Sequence, residues 1–522
     1  MIPWWALAVL IFGANFAIWG FIGVCRQVAV LIRKVPSARA ARRTAGRSPA
    51  RLAGPQAQPA TWRVVAAPPS AGPSAGNGDL VRKRGPGQLP GDTETLTVHD
   101  VAVLIAAHNE ALVIEQSLEA IMQLVPHANV HVVSDGSTDR TVEVARRAGA
   151  NVIETQENLG KAGALHEAIQ RFGLLDRFRA VMLLDADTRV LPGYFDAALP
   201  MFDGPEVVAV AGCVKTDGDR RLTPVGNVLI GHRERIYAIG QRVLKYGQTS
   251  QHFNATPIVP GFASIYRSEV LPRIDMNPPG LAIEDFNMTF EVYQKQLGKV
   301  GFTLGAVAVT QDPDNLHDYI RQTKRWALGL WQTVRRQPLR PNLFTAMVAL
   351  LLFEMVISSL MFLLLPMLLL VFVVPELLGG AQFWPWFAPV YTVAAAHVKL
   401  STVFFGIVVP DYALTVAVAL LDRRPRLLVC GFFFPVMRMI DAAIGIYAIP
   451  MAWLSRSNGR WKSPTRSITV SGQRATGGVR AAGAEMPALS AVRLARTANT
   501  APPNGVGAAR AAFMGEVRHA SG

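Results

Sequence analysis

The chain has 522 residues, of which 50% are hydrophobic and only 17% are charged, and its mean hydropathy is +0.25. Ordinary soluble domains carry about 25% charged residues, so this composition excludes a wholly soluble enzyme and a disordered chain. The formal net charge is +15. All of the basic excess lies in two flanks, because residues 26–100 hold 12 basic and 4 acidic side chains and residues 455–522 hold 10 and 2. The charge pattern therefore does not indicate a nucleic-acid-binding core.

The first 25 residues contain no charged side chain. A stretch of this length spans a hydrocarbon core of ~30 Å. Basic residues begin at Arg26, and the positive-inside rule then places the following chain in the cytoplasm. A signal peptide is the alternative, but no basic segment precedes the stretch and no clear cleavage motif follows it. We predict a transmembrane anchor over residues 1–25.

Two segments are rich in small and basic residues and poor in apolar surface. Residues 26–99 are dominated by Ala, Pro, Gly, Ser and Arg, and residues 455–522 have a similar composition. Such segments bury too little apolar area to offset the entropy lost on ordering. We predict a basic linker over 26–99 and a basic disordered tail over 455–522. Three widely spaced cysteines indicate neither a disulfide framework nor a zinc site.

Residues 100–340 have the pattern of an α/β domain. Short apolar runs typical of buried parallel strands alternate with helical stretches; the predicted strands are Val101–Ala107, Val130–Ser134, Asn151–Glu154 and Val181–Leu184. Alternating strands and helices predict right-handed βαβ units with helices on both faces of one sheet. Ligands of such sheets bind beyond the carboxyl ends of the strands.

Residues 341–454 are apolar again, and we predict three membrane-spanning stretches there. The 39-residue middle stretch is bent or partly interfacial in this interpretation. The basic tail conflicts with three spans, because it would then lie outside the membrane. Either one stretch spans twice or the tail departs from the positive-inside rule.

Carboxylates follow two of the predicted strands. Asp135 is the second residue of the run SDGSTD. A carboxylate at this position can hold the ribose or base of a nucleotide. The alternative is a turn with a helix cap. Asp185 and Asp187 follow the fourth strand, one residue apart. Two such carboxylates can hold a hard divalent cation that bridges a diphosphate. A solvated loop is the alternative, but the position after a buried strand favours the cation site.

A second acidic pair, Glu284 and Asp285, follows an apolar triplet. One member could act as a general base for an incoming hydroxyl, and like-charge crowding would raise its pKa. The alternative is a helix start, where acidic residues are stabilising.

Basic and aromatic residues follow in the segment QTKRW. Arg325 could bind a diphosphate and Trp326 could stack on a sugar ring, with an interfacial helix as the alternative. Lys161 could contact phosphate, with a solvated lysine at a helix start as the alternative. Gly261 and Ser264 could form a close-approach loop near an acceptor, with a plain turn as the alternative.

The ordered set AAHNE, SDGSTD, NLGKAGAL, LDAD, GFASIYR, IED and QTKRW, followed by apolar spans, resembles the processive family 2 glycosyltransferases. That group includes poly-N-acetylglucosamine, hyaluronan and cellulose synthases. The resemblance implies a GT-A (Rossmann-like) cytoplasmic α/β domain joined to an α-helical transmembrane region. It also implies a UDP-sugar donor, a Mg²⁺ or Mn²⁺ ion and inversion at the anomeric carbon.

By the same resemblance, Asp135 would bind the uridine, Asp185 the donor diphosphate and Asp187 the metal. Asp285 would be the general base, positioned by Glu284. Gln322, Arg325 and Trp326 would close over the diphosphate and the acceptor sugar.

The expected protein is a plasma-membrane enzyme that lengthens a β-linked polysaccharide from a UDP-sugar, UDP-N-acetylglucosamine above all. Its expected partners are the donor, the polysaccharide acceptor and membrane lipid, with room for an accessory export subunit and with no nucleic acid. A lipid-linked single-transfer glycosyltransferase and a catalytically degenerate transporter or scaffold are the alternatives.

Overall fold

The computed structural model describes residues 3–45, 95–218, 222–338, 340–377, 385–386, 388–397, 400–455, 457 and 459–460. Most of the predicted linker and nearly all of the predicted tail lie outside these residues. Within them, the chain forms an α/β domain and a group of long apolar helices.

The α/β domain is built on one eight-stranded sheet with the order β3-β2-β1-β4-β7-β6-β8-β5. Its strands are β1 (Val101–Ala107), β2 (Val130–Asp135), β3 (Asn151–Thr155), β4 (Ala180–Asp185), β5 (Thr188–Val190), β6 (Val207–Thr216), β7 (Ala263–Arg267) and β8 (Lys299–Thr310). The four strands predicted from apolar runs are confirmed to within a residue. They are parallel to one another.

The other half of the sheet is mixed. Strand β7 runs antiparallel to both β4 and β6, and β5 runs antiparallel to β8. The expectation of parallel βαβ units therefore holds only for the first four strands. Apolar runs report burial of a strand, and they carry no information on its direction.

Alternate residues of the central strands enter two separate cores, as the two-residue period of a strand requires. In β1, Ala102 and Leu104 face one core, whereas Val103 and Ile105 face the other. Helices cover both faces of the sheet. The helices of this part of the chain are α2 (Ile114–Met122), α3 (Thr141–Arg147), α4 (Gly160–Arg171), α5 (Leu174–Arg177), α6 (Tyr194–Ala198), α7 (Pro224–Ile239), α8 (Tyr246–Gln248), α9 (Asp285–Gln294) and α10 (Leu316–Arg336).

Seven further helices are α1 (Trp4–Ala45), α11 (Leu343–Leu377), α12 (Ala388–His397), α13 (Leu400–Val403), α14 (Val409–Leu421), α15 (Arg426–Cys430) and α16 (Phe434–Leu454). Among the described residues, three stretches are long and apolar enough to cross a membrane: Leu343–Val371, Ser401–Leu421 and Arg426–Leu454. Three C-terminal spans were predicted, and three such stretches are present in the described part of the chain.

The first helix differs from the prediction in its length. Helix α1 continues to Ala45, so residues 26–45 are helical where a linker was expected. Its backbone leaves the helical region at Gly13, with φ of 80°, and it is not among the three candidate spans. The side chain of Arg26 attaches α1 to the α/β domain, because it donates to the carbonyl oxygen of Tyr246 at 2.8 Å.

Candidate active site

A cavity of about 620 Å³ opens at the carboxyl ends of the central strands. Nine of the residues that line it carry charge: Glu110, Lys161, Asp185, Asp187, Lys245, Glu284, Asp285, Asp312 and Arg325. The two acidic pairs, which are about a hundred residues apart in the sequence, therefore share one cleft. Acidic groups outnumber basic ones on its wall.

Lys161, in the first turn of α4, links the two acidic pairs. Its Nζ lies 2.7 Å from Oδ1 of Asp185 and 3.1 Å from Oε1 of Glu284. It also donates to the carbonyl oxygen of Gly261 at 3.3 Å. Although burial favours the neutral amine, the neighbouring carboxylates raise the pKa of Lys161 well above its ordinary value. The lysine is therefore a permanent cation between the strand end and helix α9.

Asp285 is the first residue of α9, and Glu284 immediately precedes this helix. The backbone N–H of Gly261 donates to Oδ2 of Asp285 at 2.8 Å. Burial, followed by the nearby charge of Glu284, raises the pKa of Asp285 to about 7. Burial acts in the same direction on Glu284, but Lys161 outweighs it and lowers the pKa of that carboxyl. Environment thus separates the two acids, and only Asp285 is set to exchange a proton near neutral pH.

Gly261 is confined by the groups that it contacts. A methyl group on its Cα would overlap Oδ1 of Asp285 and would lie 2.9 Å from Nζ of Lys161. Any larger residue would displace one of these two side chains. The glycine therefore permits the lysine and the carboxylate to approach the same stretch of backbone.

Asp185 and Asp187, at the end of β4, have different partners: a lysine for Asp185 and two threonine hydroxyls for Asp187. Burial raises the pKa of Asp185, and Lys161 opposes that shift. Oδ1 of Asp187 accepts hydrogen bonds from the hydroxyls of Thr188 at 3.2 Å and Thr310 at 3.4 Å. Among the described residues, no three acidic, histidine or cysteine side chains are arranged so that they could hold a metal ion together. The carboxylates of Asp185 and Asp187 fit a Mg²⁺ or Mn²⁺ ion, because such ions are commonly held by one or two carboxylates together with substrate phosphates.

Helix α10 carries the segment QTKRW along the cavity. Gln322, Arg325 and Trp326 all line it, and Arg325 is exposed. The helix begins at a cap in which the side chain of Asn315 accepts from the N–H of Asp318 at 2.9 Å. This cap fixes the start of α10.

Three predicted residues, Asp135, Gly261 and Ser264, are not on the cavity wall, although the N–H of Gly261 bonds to Asp285, which is on that wall. Asp135 is fully buried, and its carboxylate accepts from the backbone N–H groups of Leu159 at 2.8 Å and Gly160 at 2.9 Å. It holds the loop that leads into α4. Ser264 is also fully buried, and its hydroxyl donates to the carbonyl oxygen of Pro260 at 2.6 Å. Both side chains support the loops that carry Lys161 and Gly261.

The sequence motifs left several cavity residues without a role. Lys245 lines the cavity from the π-helical segment Gly240–Lys245, and burial lowers its pKa to about 8. Asp312 lines it as well and accepts from the hydroxyl of Tyr237 at 2.8 Å. Neither residue stands in a recognisable pattern. Glu110 could have been found, because it closes the AAHNE run after the first strand.

Comparisons with known proteins agree with this architecture. Residues 102–274 match the family described as Glycosyl transferase family 2, and this part of the chain is a domain of that family. The α/β domain accordingly has the GT-A fold that the sequence predicted.

Two relatives illustrate the similarity. The poly-beta-1,6-N-acetyl-D-glucosamine synthase of Staphylococcus aureus (strain COL) is 24% identical over 234 residues, which are 44% of this chain and 54% of the relative. The uncharacterized glycosyltransferase YaiP of Escherichia coli (strain K12) is 27% identical over 239 residues, covering 44% and 56%. The chain thus spans about half the length of the curated relatives that it matches.

Two solved structures are similar to the chain at low sequence identity. The mannosyltransferase PcManGT from Pyrobaculum calidifontis, in complex with GDP-Man and Mn²⁺, is 20% identical, with a TM-score of 0.43 over 70% of this chain and 91% of that one. The glucosyl-3-phosphoglycerate synthase from Mycobacterium tuberculosis, in complex with Mn²⁺, UDP and glucosyl-3-phosphoglycerate, is 19% identical, with a TM-score of 0.31 over 48% and 85%.

Proposed function

We propose that the chain is an inverting membrane glycosyltransferase that transfers a sugar from a UDP-sugar to a growing β-linked polysaccharide. The donor that we propose is UDP-N-acetylglucosamine, supported by the similarity to the poly-N-acetylglucosamine synthase. The observation that carries the proposal is the cavity in which Asp185, Asp187, Lys161 and Asp285 meet beside the QTKRW helix. These groups provide a cation site, a fixed positive charge and a base within one cleft.

In the proposed reaction, the carboxylate of Asp285 accepts the proton of an acceptor hydroxyl. The hydroxyl oxygen forms a bond to C1 of the donor sugar from the face opposite the diphosphate. In the same step the bond between C1 and the diphosphate oxygen breaks, and its electron pair leaves with UDP. Inversion in this single displacement needs one base and a stabilised leaving group, and no nucleophile of the enzyme.

The remaining cavity residues bind and orient the substrates. Asp185 and Asp187 would hold a Mg²⁺ or Mn²⁺ ion, which when bound supplies positive charge against the leaving diphosphate. Lys161 contributes a second cation on that side and keeps Glu284 ionised beside the base. Gln322, Arg325 and Trp326 contact the diphosphate and the acceptor sugar. Asp135 contributes to uridine binding through the loop that its carboxylate holds.

The apolar helices give the proposed location. We propose a multi-pass protein of the plasma membrane, with the α/β domain in the cytoplasm and the N-terminal 25 residues as an anchor. The basic flanks then meet the anionic lipid of the inner leaflet. The cavity adjoins membrane helix α11, because Leu351 lies on its wall. A polymer lengthened there can be passed outward, with an accessory subunit assisting export.

The test is UDP release by membranes that contain the full chain. They are incubated with a panel of UDP-sugars and either Mg²⁺ or Mn²⁺, and we expect turnover of one donor above all others. General-base catalysis contributes about 10²–10⁴-fold, so Asp285→Asn should lower turnover by that factor. Asp275→Asn is the matched control, because this aspartate forms only a partly exposed ion pair with Arg336. Turnover of no donor, or full activity in Asp285→Asn, would contradict the proposal.

Product length distinguishes the proposed polymer from a single transfer. Radiolabelled sugar should appear in chains that lengthen with time at a fixed number of reducing ends. A product with one labelled sugar per acceptor would instead indicate the lipid-linked single-transfer enzyme.

A further inference from the structure

Arg233 is a buried residue of helix α7, with 3% of its surface exposed. Its Nη2 donates to Oε1 of Gln322 at 3.2 Å and to the hydroxyl of Thr323 at 2.7 Å. Both acceptors belong to the QTKRW segment, although they are about ninety positions away in the sequence. One guanidinium thus holds two neighbouring residues of this segment.

The same guanidinium lies between two aromatic rings of α10. Its Cζ is 4.4 Å from the ring centroid of Tyr319 and 4.4 Å from that of Trp326. Tyr319, Gln322, Thr323 and Trp326 are spaced at i, i+3, i+4 and i+7, which places them on one face of the helix. Arg233 therefore contacts this face over two helical turns.

The contact continues toward the membrane helices. The hydroxyl of Tyr319 donates to Oδ1 of Asp441 in α16 at 2.8 Å, and the other carboxylate oxygen lies 2.9 Å from Nε2 of His232. His232 is the residue next to Arg233 on α7. Helices α7, α10 and α16 are consequently joined through polar contacts around one side of the cavity wall.

We propose that Arg233 is a positioning residue, which holds Gln322 and Trp326 in the orientation in which they face the cavity. The inference rests on the proposed function, and it assigns to Arg233 an effect on substrates that passes through these two side chains. Arg233 is not itself part of the cavity wall, whereas Gln322 and Trp326 are. A lysine could not replace it, because only a planar guanidinium stacks between two rings while donating sideways in two directions.

Arg235 offers a matched control on the same helix. It is equally buried, and it binds Asp411 and Thr415 of α14 without contacting the QTKRW segment. A desolvated cation–π contact and a charged hydrogen bond are each worth enough to change a rate about tenfold or more. We therefore expect Arg233→Met to lower kcat/KM for the donor by about 10–100-fold. Arg233→Lys should recover only a small part of the kcat/KM that is lost in Arg233→Met. Arg235→Met should leave kcat/KM per folded molecule near the wild-type value.

Double substitutions show whether the effect passes through the motif. In a chain that already carries Gln322→Ala and Trp326→Ala, adding Arg233→Met should cost little further kcat/KM, because coupled residues are not additive. Arg235→Met should have the same small effect in either background. If the loss caused by Arg233→Met is undiminished in the doubly substituted chain, the positioning role is wrong.

Hydrogen exchange supplies a readout that does not require turnover. Amides of α10 near residues 319–326 should exchange faster in Arg233→Met than in wild type, whereas Arg235→Met should leave them protected. Unchanged protection in Arg233→Met would overturn the inference even if no donor were turned over. Inactive wild-type protein with the expected exchange pattern would instead count against the proposed function alone.

Discussion

Charged groups are buried in two regions of the molecule, and they are arranged in different ways. At the cavity, Asp185 and Glu284 share the single cation of Lys161, while Asp285 has a raised pKa. Between the helices, Asp411 lies 2.8 Å from Arg235 and 2.5 Å from Arg438. We call Asp411, Arg235 and Arg438 the Asp411 cluster.

The difference between the regions lies in how completely each carboxylate is paired. In the Asp411 cluster one carboxylate is bound by two arginines. The hydroxyl of Thr415 accepts from Arg235 and donates to the backbone carbonyl oxygen of Asp411. At the cavity the acidic groups exceed the bases on a wall that is open to ligands. A carboxylate bound by two arginines serves to fix the structure, whereas a wall with more acids than bases retains capacity for a metal ion, a proton or a substrate. The comparison predicts that substitutions at the cavity lower activity more than stability, and that substitutions in the Asp411 cluster lower stability more than activity.

The largest effect on activity in this set is expected from Lys161→Met. The substitution removes the cation between Asp185 and Glu284, and removal of one preorganised electrostatic group at a reacting centre costs about 10²–10³-fold in kcat. The measurement is the rate of UDP release per folded molecule. Lys299→Met is the control, because Lys299 is 40% exposed and lies 3.7 Å from Glu206 on the surface. Turnover at the wild-type rate in Lys161→Met would show that the buried charge of Lys161 does not contribute to catalysis.

A smaller, graded effect is expected from pH. With a pKa of about 7, Asp285 is protonated below neutrality and cannot accept a proton. The value of kcat/KM should thus rise about tenfold per pH unit below pH 7 and level off above it, since this ratio reports ionisation of the free enzyme. The residual activity of Asp285→Asn should lack this rise. A flat profile of the wild type across the acidic range would show that the base is another group.

The smallest effect on activity is expected from Asp411→Asn, which should instead lower stability. Removing one partner of a buried ion pair costs about 3–5 kcal/mol in the free energy of unfolding. Thermal unfolding in detergent measures this loss, and UDP release per folded molecule should remain close to wild type. Asp422→Asn is the control, because the pair of Asp422 with Arg242 is about one-third exposed and should cost about 1 kcal/mol or less. An equal loss of stability in the two variants would contradict the distinction.

Much of the α/β domain could be predicted because its signals are local. Each of the strands β1 to β4 is a short apolar run, and Asp185 and Asp187 lie at or just beyond the end of β4. The directions of β5 and β7 could not be predicted, since pairing depends on how the intervening chain returns to the sheet. The course of α1 beyond residue 25 was also missed, because composition alone does not exclude a helix there.

The sequence by itself determined the family of the domain, the strand ends that carry Asp185 and Asp187, and the three apolar helices. These features follow from side-chain periodicity and from short motifs. Only the tertiary structure decided that Lys161 joins the two acidic pairs. It also decided that the carboxylate of Asp135 accepts from the backbone N–H groups of a distant loop, and that Arg233 binds two residues of the QTKRW segment. Each of these contacts joins residues far apart in the chain, and burial and charge pairing at such distances exist only once the chain has folded.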